Sequence, residues 1–245
     1  IIIVHLYGMP AKMKEIMAVA NQYNIPVIED TAEALGSTID GKACGSFGDF
    51  GILSFNGNKI ITTSGGGAIL SNNLNALKKA RFLATQAKDN APHYEHSEMG
   101  YNYRMSNIAA AIGVGQLKVL EERIAARREN HQFYSDLLRD IRGIKFLQEP
   151  EGYFSNRWLS CIVIDETMTG ISSEKLRLHL DNQNIESRPL WKPMHLQPLF
   201  KSSPFVGTDI AEKLFKTGLC LPSGSNLTLN EKERIASQLK TVFSS

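Results

Sequence analysis

Two short apolar runs constrain what this chain can fold into. Ile1-Ile2-Ile3-Val4 and Pro26-Val27-Ile28-Glu29-Asp30 are separated by Pro10 and a stretch that places Met13, Ile16, Met17 and Ala20 at helical spacing. The pattern is strand, helix, strand. A strand that is apolar along its length, followed by a helical crossover, calls for a parallel sheet covered on both faces, which is the α/β class. Asp30 then stands at the carboxyl end of its strand, and ligands of open α/β sheets gather outside those ends.

Further along, a strand is expected at residues 52–55, then a loop carrying Lys59, then a strand at residues 68–70 just past Gly65-Gly66-Gly67. A helix should cover residues 74–84 and a polar loop residues 88–98. From Ser106 a long helical pattern runs through Ile108, Ala111, Ile112, Gly115, Leu117 and Leu120 towards Leu138. Beyond Gly143 the texture turns to α+β: an apolar run at 159–164, a helix over 172–180, a strand near Ile185 and a Pro-rich segment at 189–204. A closing helix carries a capping signature, Thr228 with Glu231 three residues on. Two domains are expected: residues 1–128 as part of a large α/β domain including the start of an interdomain helix, and residues 129–245 as a smaller α+β domain.

With 42% hydrophobic residues in 245, the chain can bury a sizeable core. Charged residues make up 21% and the formal net charge is +2, with no long basic run, so a nucleic-acid partner is not indicated. No apolar run approaches the roughly 18 residues of a membrane span. Cys44, Cys161 and Cys220 are widely spaced without a Cys-x-x-Cys pair, which fits reduced thiols filling the core of a cytoplasmic protein. The chain opens without methionine on a core strand, and a missing N-terminal part is expected.

The residue with the most chemistry is Lys59. It lies in Ser54-Phe55-Asn56-Gly57-Asn58-Lys59-Ile60-Ile61-Thr62-Thr63, among apolar and small polar neighbours. Desolvation there disfavours an ammonium and favours a nucleophilic amine, and such lysines chiefly form Schiff bases with carbonyls. Pyridoxal phosphate pairs a lysine of this kind with a carboxylate for its ring nitrogen, and Asp30 is the candidate acid. Alone, a lysine after a strand is ordinarily solvated and an aspartate ending a strand ordinarily caps a turn. His93-Tyr94-Glu95-His96 lies in a polar loop without the helix of a zinc hydrolase motif, and we do not read it as a metal site. The three glycines match neither a dinucleotide fingerprint nor a P-loop, and are expected to let backbones pack closely.

Three further motifs give the lysine its context. Glu29-Asp30-Thr31-Ala32-Glu33-Ala34-Leu35-Gly36, Ser54-Phe55-Asn56-Gly57-Asn58-Lys59 and Gly100-Tyr101-Asn102-Tyr103-Arg104-Met105-Ser106 together resemble the DegT/DnrJ/EryC1/StrS family of sugar aminotransferases, and the resemblance runs along essentially the whole chain. It implies the fold-type-I, aspartate aminotransferase-like architecture and pyridoxal 5'-phosphate as cofactor. It also implies Lys59 as the Schiff-base lysine, Asp30 on the pyridine nitrogen, Ser54 as a phosphate donor and Glu33 beside the phenolic oxygen. Asn102 matches an asparagine that reaches the neighbouring subunit's cofactor phosphate, which implies a homodimer. The family's N-terminal portion, with further phosphate donors and the wall over the cofactor ring, has no counterpart here.

The segment Glu186-Ser187-Arg188-Pro189-Leu190-Trp191-Lys192-Pro193-Met194-His195-Leu196 resembles a subgroup that aminates the 4-keto group of a UDP-linked 4-keto-6-deoxy-N-acetylhexosamine, with glutamate as amino donor, for surface glycans. Arg188 and Lys192 could neutralise a diphosphate, Trp191 could offer a flat face and His195 could bond a sugar hydroxyl. The alternative to this segment's role is a solvated Pro-rich loop. Alternatives to the activity are a dTDP-keto-sugar 3- or 4-aminotransferase and a non-catalytic regulatory or binding protein on the same fold. A sugar dehydratase of the same fold would carry histidine at the position of Lys59.

Overall fold

The computed structural model describes residues 1–243 and divides into two compact units, Ile1–Ala125 with Glu149–Trp158, and Ala126–Gln148 with the chain from Leu159 onward. In chain order the first unit holds β1 (Ile2–Val4), α1 (Met13–Gln22), β2 (Ile28–Asp30), β3 (Thr38–Ile39), β4 (Lys42–Ala43), β5 (Phe50–Ser54), β6 (Gly67–Leu70), α2 (Leu74–Ala84) and α3 (Asn107–Leu117). The helix α4 (Leu120–Leu137) runs through the boundary. β7 (Ile144–Phe146) belongs to the second unit and β8 (Tyr153–Phe154) returns to the first. β9 (Ser160–Ile164), α5 (Glu166–Thr169), α6 (Ser173–Asn182), β10 (Arg188–Pro189), α7 (Ile210–Thr217), β11 (Gly218–Leu221) and α8 (Leu229–Phe243) complete the second.

In the first unit the sheet order is β1-β2-β5-β6, with β1, β2 and β5 parallel and β6 antiparallel to β5. The parallel pair joined by α1 is the expected strand–helix–strand unit. Met13 and Ala20 of α1 pack with Ile3, Val27 and Ile39, with Ile16 and Met17 at the margin. One expectation fails: β1 is not buried on both faces, because Ile3 alone is buried while Ile2 is 71% exposed. Lys59 lies, as expected, on the connection between β5 and β6. Among the glycines, Gly67 is needed for close approach, since a Cβ there would sit 2.4 Å from the Leu53 carbonyl oxygen; Gly65 has open space around it.

The long helix expected from Ser106 is two helices. Ser106 caps α3 by accepting the Ala109 amide at 3.2 Å. The break falls after Leu117, where the amides of Lys118 and Val119 bond three residues back, to Gly115 and Gln116, tightening the last turn. Gly113 and Gly115 weaken helical continuity just before it.

In the second unit an antiparallel sheet, β10-β11-β9-β7, packs against α4, α6 and α8. Its core joins Tyr134, Leu138, Ile162, Ile164, Leu176, Leu180, Leu219, Leu221, Ile235 and Leu239. Tyr134 is buried and donates its hydroxyl to the Pro222 carbonyl at 2.7 Å. The strand expected near Ile185 is displaced to Arg188–Pro189. Asn184 takes a left-handed conformation (φ 51°) and the Ile185 amide bonds back to Leu180, so Ile185 is the buried residue of a helix-ending turn. The capping box of α8 forms as read: Glu231 accepts from the Thr228 amide and hydroxyl, and Thr228 accepts the Glu231 amide.

One cysteine parts from the expectation. Cys44 and Cys220 are buried, whereas Cys161 is partly exposed; Cys161 and Cys220 alternate with Ile162 and Leu219 along their strands and lie on the face away from the main core cluster. Among the described residues no helix is long and apolar enough to cross a membrane.

The faces of α6 give a direct test of this core. Leu176 and Leu180 are fully buried whereas Leu178 is 46% exposed. Leu176→Ala or Leu180→Ala should cost about 2–5 kcal/mol in urea denaturation, and Leu178→Ala less than about 1 kcal/mol.

Candidate active site

The site is built at the carboxyl end of β2, and a buried carboxylate fixes that end. Glu29 and Asp30 point to opposite sides of the strand. Glu29 is fully buried and accepts hydrogen bonds from the amides of Gly45 (2.8 Å), Phe47 (2.6 Å) and Gly48 (2.7 Å) and from His5 Nε2 (3.0 Å). The Ala11 amide donates to His5 Nδ1 at 3.0 Å, which assigns the ring proton to Nε2 and makes the ring the donor to Glu29. Burial pushes the Glu29 carboxyl upward, but the His5 bond and the three amides outweigh it and hold it below the usual carboxylate range. Glycine makes the arrangement possible, since a Cβ on Gly51 would lie 2.2 Å from the Gly45 carbonyl oxygen.

Asp30, half-buried on the other side, accepts the Ala32 amide on Oδ1 at 3.1 Å, leaving Oδ2 for a further donor. Its backbone is pinned on both flanks: the His5 amide donates to the Asp30 carbonyl, and the Thr31 amide to Ile52 on β5.

Lys59 is held in a small cage. Its side chain is 12% exposed, with Nζ 3.8 Å from Glu33 Oε1 and 4.6 Å from the centroid of the Trp158 ring. That separation from Glu33 is an ion pair without a hydrogen bond, so the amine is positioned but not tied up. Glu33 is buried and accepts the Tyr7 amide on Oε2 at 2.6 Å. Burial raises its carboxyl to about 7; the Tyr7 amide and the Lys59 charge pull it down, and the Asp30 charge pushes it up. Glu33 is thus paired with Lys59 and feels the charge of Asp30 at the end of β2.

Two residues that sequence reasoning missed hold this pair together. Asn156 is fully buried and donates to the carbonyls of Glu33 (2.8 Å) and Leu35 (2.9 Å); its amide donates to Ser37 Oγ and its Oδ1 accepts the Trp158 amide. Trp158 donates its indole N–H to the Asn58 carbonyl at 2.9 Å, next to Lys59. One short segment therefore grips the Glu33 loop and the Lys59 loop together. The one signal in the sequence was a tryptophan set directly before the apolar run of β9.

Ser54 ends β5, half-buried, with its hydroxyl accepting the Asn56 amide at 3.4 Å. Asn102 is exposed, on an isolated bridge to Thr85, and the structure does not gather it into the Lys59 group. It sits in the first unit between Tyr101 and Tyr103, whose rings stack 5.0 Å apart. The remaining candidates lie in the second unit. Arg188 is exposed and paired with Glu186, and Trp191 and Lys192 are exposed. His195 bonds Glu212 at 3.1 Å and stacks on Phe205 with centroids 3.8 Å apart.

The donor set fits pyridoxal phosphate. Asp30 Oδ2 suits a protonated ring nitrogen, Lys59 offers a positioned amine, and the Ser54 hydroxyl can donate to a phosphate.

The chain matches the DegT/DnrJ/EryC1/StrS aminotransferase family over residues 1–240. It is 49% identical over 247 residues to EpsN of Bacillus subtilis strain 168, a protein proposed to be a pyridoxal phosphate-dependent aminotransferase, covering 99% of this chain and 63% of that one. It is 41% identical to the UDP-4-amino-4,6-dideoxy-N-acetyl-beta-L-altrosamine transaminase of Campylobacter jejuni, covering 98% of this chain and 65% of that one. The crystal structure of the aminotransferase TlmJ from Streptoalloteichus hindustanus superposes with a TM-score of 0.91 at 25% identity, over 99% of this chain and 65% of that one. The fold is therefore fold type I, and the chain spans a little under two thirds of the length of these relatives.

Glu33 gives the site a pH signature. Its folded value near 7 lies above the ordinary 4.5, so the native state holds a proton that the unfolded chain releases. The stability it contributes is complete at pH 4 and is lost as the pH rises through 7, on the order of 3 kcal/mol in all. Glu33→Gln should flatten urea-melting stability between pH 5 and pH 8 relative to wild type; parallel curves would remove the raised carboxyl from the account.

Proposed function

This chain belongs to the DegT/DnrJ/EryC1/StrS aminotransferase family, and from that premise we propose that it carries the reactive lysine of a pyridoxal 5'-phosphate-dependent aminotransferase. The carrying observation is the pairing of Lys59 with Glu33, which feels the charge of Asp30 at the end of β2. Bound there, the cofactor would supply an aldehyde and an electron-withdrawing ring that stabilises negative charge on the substrate carbon.

The residues divide the work. Asp30 would hold a proton on the ring nitrogen of the cofactor and so keep the ring electron-poor. The Lys59 amine must lose a proton before it can attack a carbonyl. Glu33, 3.8 Å away and titrating near neutrality, is placed to take that proton on Oε1. The same amine would also serve to move a proton at the substrate carbon. Trp158 covers the lysine amine with its ring and fixes the Lys59 loop through Asn58, while Asn156 fixes the loop that carries Glu33.

For the substrates we infer glutamate as donor and the 4-keto group of a UDP-linked 4-keto-6-deoxy-N-acetylhexosamine as acceptor, yielding an amino sugar for surface glycans. The relative from Campylobacter jejuni, whose name is that of a UDP-linked amino-sugar transaminase, supports this choice. In the second unit, Arg188, Lys192, Trp191 and His195 are the proposed contacts to the diphosphate, nucleotide and sugar.

A homodimer is proposed on separate grounds. Helix α3 is apolar around its circumference and has no buried residue; Ile108 is 73% exposed, and Ile112, Val114 and Leu117 are exposed with it. Asn102, on the approach to this helix, is proposed to reach the partner's cofactor phosphate. An exposed apolar surface of this kind is characteristic of an interface.

Labelling, mutation and light scattering test the reading. Borohydride reduction in the presence of pyridoxal phosphate should fix the cofactor on the peptide containing Lys59, and Lys59→Ala should abolish both the adduct and amino transfer from glutamate to UDP-linked keto sugar. Asp30→Asn should keep the adduct and lower kcat about 100- to 1000-fold. An adduct on another lysine would overturn the assignment. For the dimer, Ile112→Asp should shift wild-type dimer to monomer by light scattering.

A further inference from the structure

The second unit holds two thiols that the aminotransferase reading does not use, and we propose that Cys161 and Cys220 form a reversible disulfide by exchange with a small-molecule disulfide of the glutathione class. The two residues are direct partners in the antiparallel ladder of β9 and β11. Their Sγ atoms are 3.6 Å apart. Directly opposed residues in such a ladder have Cα atoms about 4.5–5.5 Å apart, inside the roughly 4.4–6.8 Å that disulfides span. Closing the bond needs the sulfurs to swing together by side-chain rotation while the strands keep their register.

The pair lies outside the main core cluster. Ile162, Ile164, Leu219 and Leu221 fill the core from one face of the sheet, and the cysteines stand on the other, outside that cluster. Their accessibility differs, since Cys161 is partly exposed and Cys220 is buried. That difference sets an order of events.

Cys161, as thiolate, attacks one sulfur of the small disulfide and expels one small thiolate, forming a mixed disulfide. Cys220 attacks the Cys161 sulfur and its proton leaves with the second small thiol that is expelled. Two protein thiols are oxidised to one disulfide while one small disulfide is reduced to two thiols. The third cysteine is an internal control: Cys44 is buried in the first unit, and burial, with the charge of Glu29, pushes its thiol up to about 12.

The bond would staple residues 59 positions apart. It lies next to β10, where Arg188 is the direct partner of Cys220 in the ladder. The disulfide itself does not depend on the aminotransferase reading.

The test is incubation of the purified protein with oxidised glutathione, quenching by alkylation, and non-reducing peptide mass spectrometry. The expected result is a linked pair of peptides carrying Cys161 and Cys220, loss of two of the three alkylatable thiols, and their recovery with dithiothreitol. Cys220→Ala should arrest at glutathione on Cys161. Full alkylation of all three thiols after oxidation, glutathione remaining on Cys161 in the wild type, or links formed only between molecules would each overturn the proposal.

Discussion

One buried carboxylate organises the first unit. Glu29 has no solvent to stabilise its charge, so every donor aimed at it is obligatory: three amides of the 45–48 loop and the ring of His5. Because those donors come from the end of β1 and from the loop ahead of β5, satisfying the charge also fixes both neighbours of β2. Asp30, the next residue, inherits that rigidity. Its carboxylate can face a ligand at a fixed angle because its neighbour is tied down on the reverse side of the strand.

The carboxylate beside Lys59 is tuned by the opposite device. Glu33 is as deeply buried as Glu29 but receives one amide and a distant ammonium, too few donors to keep it ionised through neutral pH. Two glutamates four positions apart thus carry different duties because their donor counts differ. The fully satisfied one is structural; the partly satisfied one is the group proposed to exchange a proton with Lys59.

Much of this was legible in the chain. The strand–helix–strand unit, Asp30 at a strand end, Lys59 on the β5–β6 connection and the Thr228–Glu231 cap are local patterns in which periodicity or fixed spacing carries the information. What escaped is non-local. Asn156 bonds to Glu33 across 123 positions, and no periodicity announces such a contact. The break between α3 and α4 and the turn at Ile185 escaped for another reason: helix ends depend on backbone bonds of the final turn, which apolar spacing does not report. Of the three cysteines read as core, Cys44 and Cys220 are buried and Cys161 is only partly so, because residue type alone does not report how the surface closes over a given strand position.

The return of residues 149–158 to the first unit has a consequence for how the protein is made. Ser155 bonds to the Gly8 carbonyl 147 positions away, and Trp158 bonds to Asn58. On a ribosome, the pocket of Lys59 stays unfinished until the chain has passed α4 and β7 and come back. Closing so wide a loop is slow, so the surroundings of Lys59 are completed late in folding.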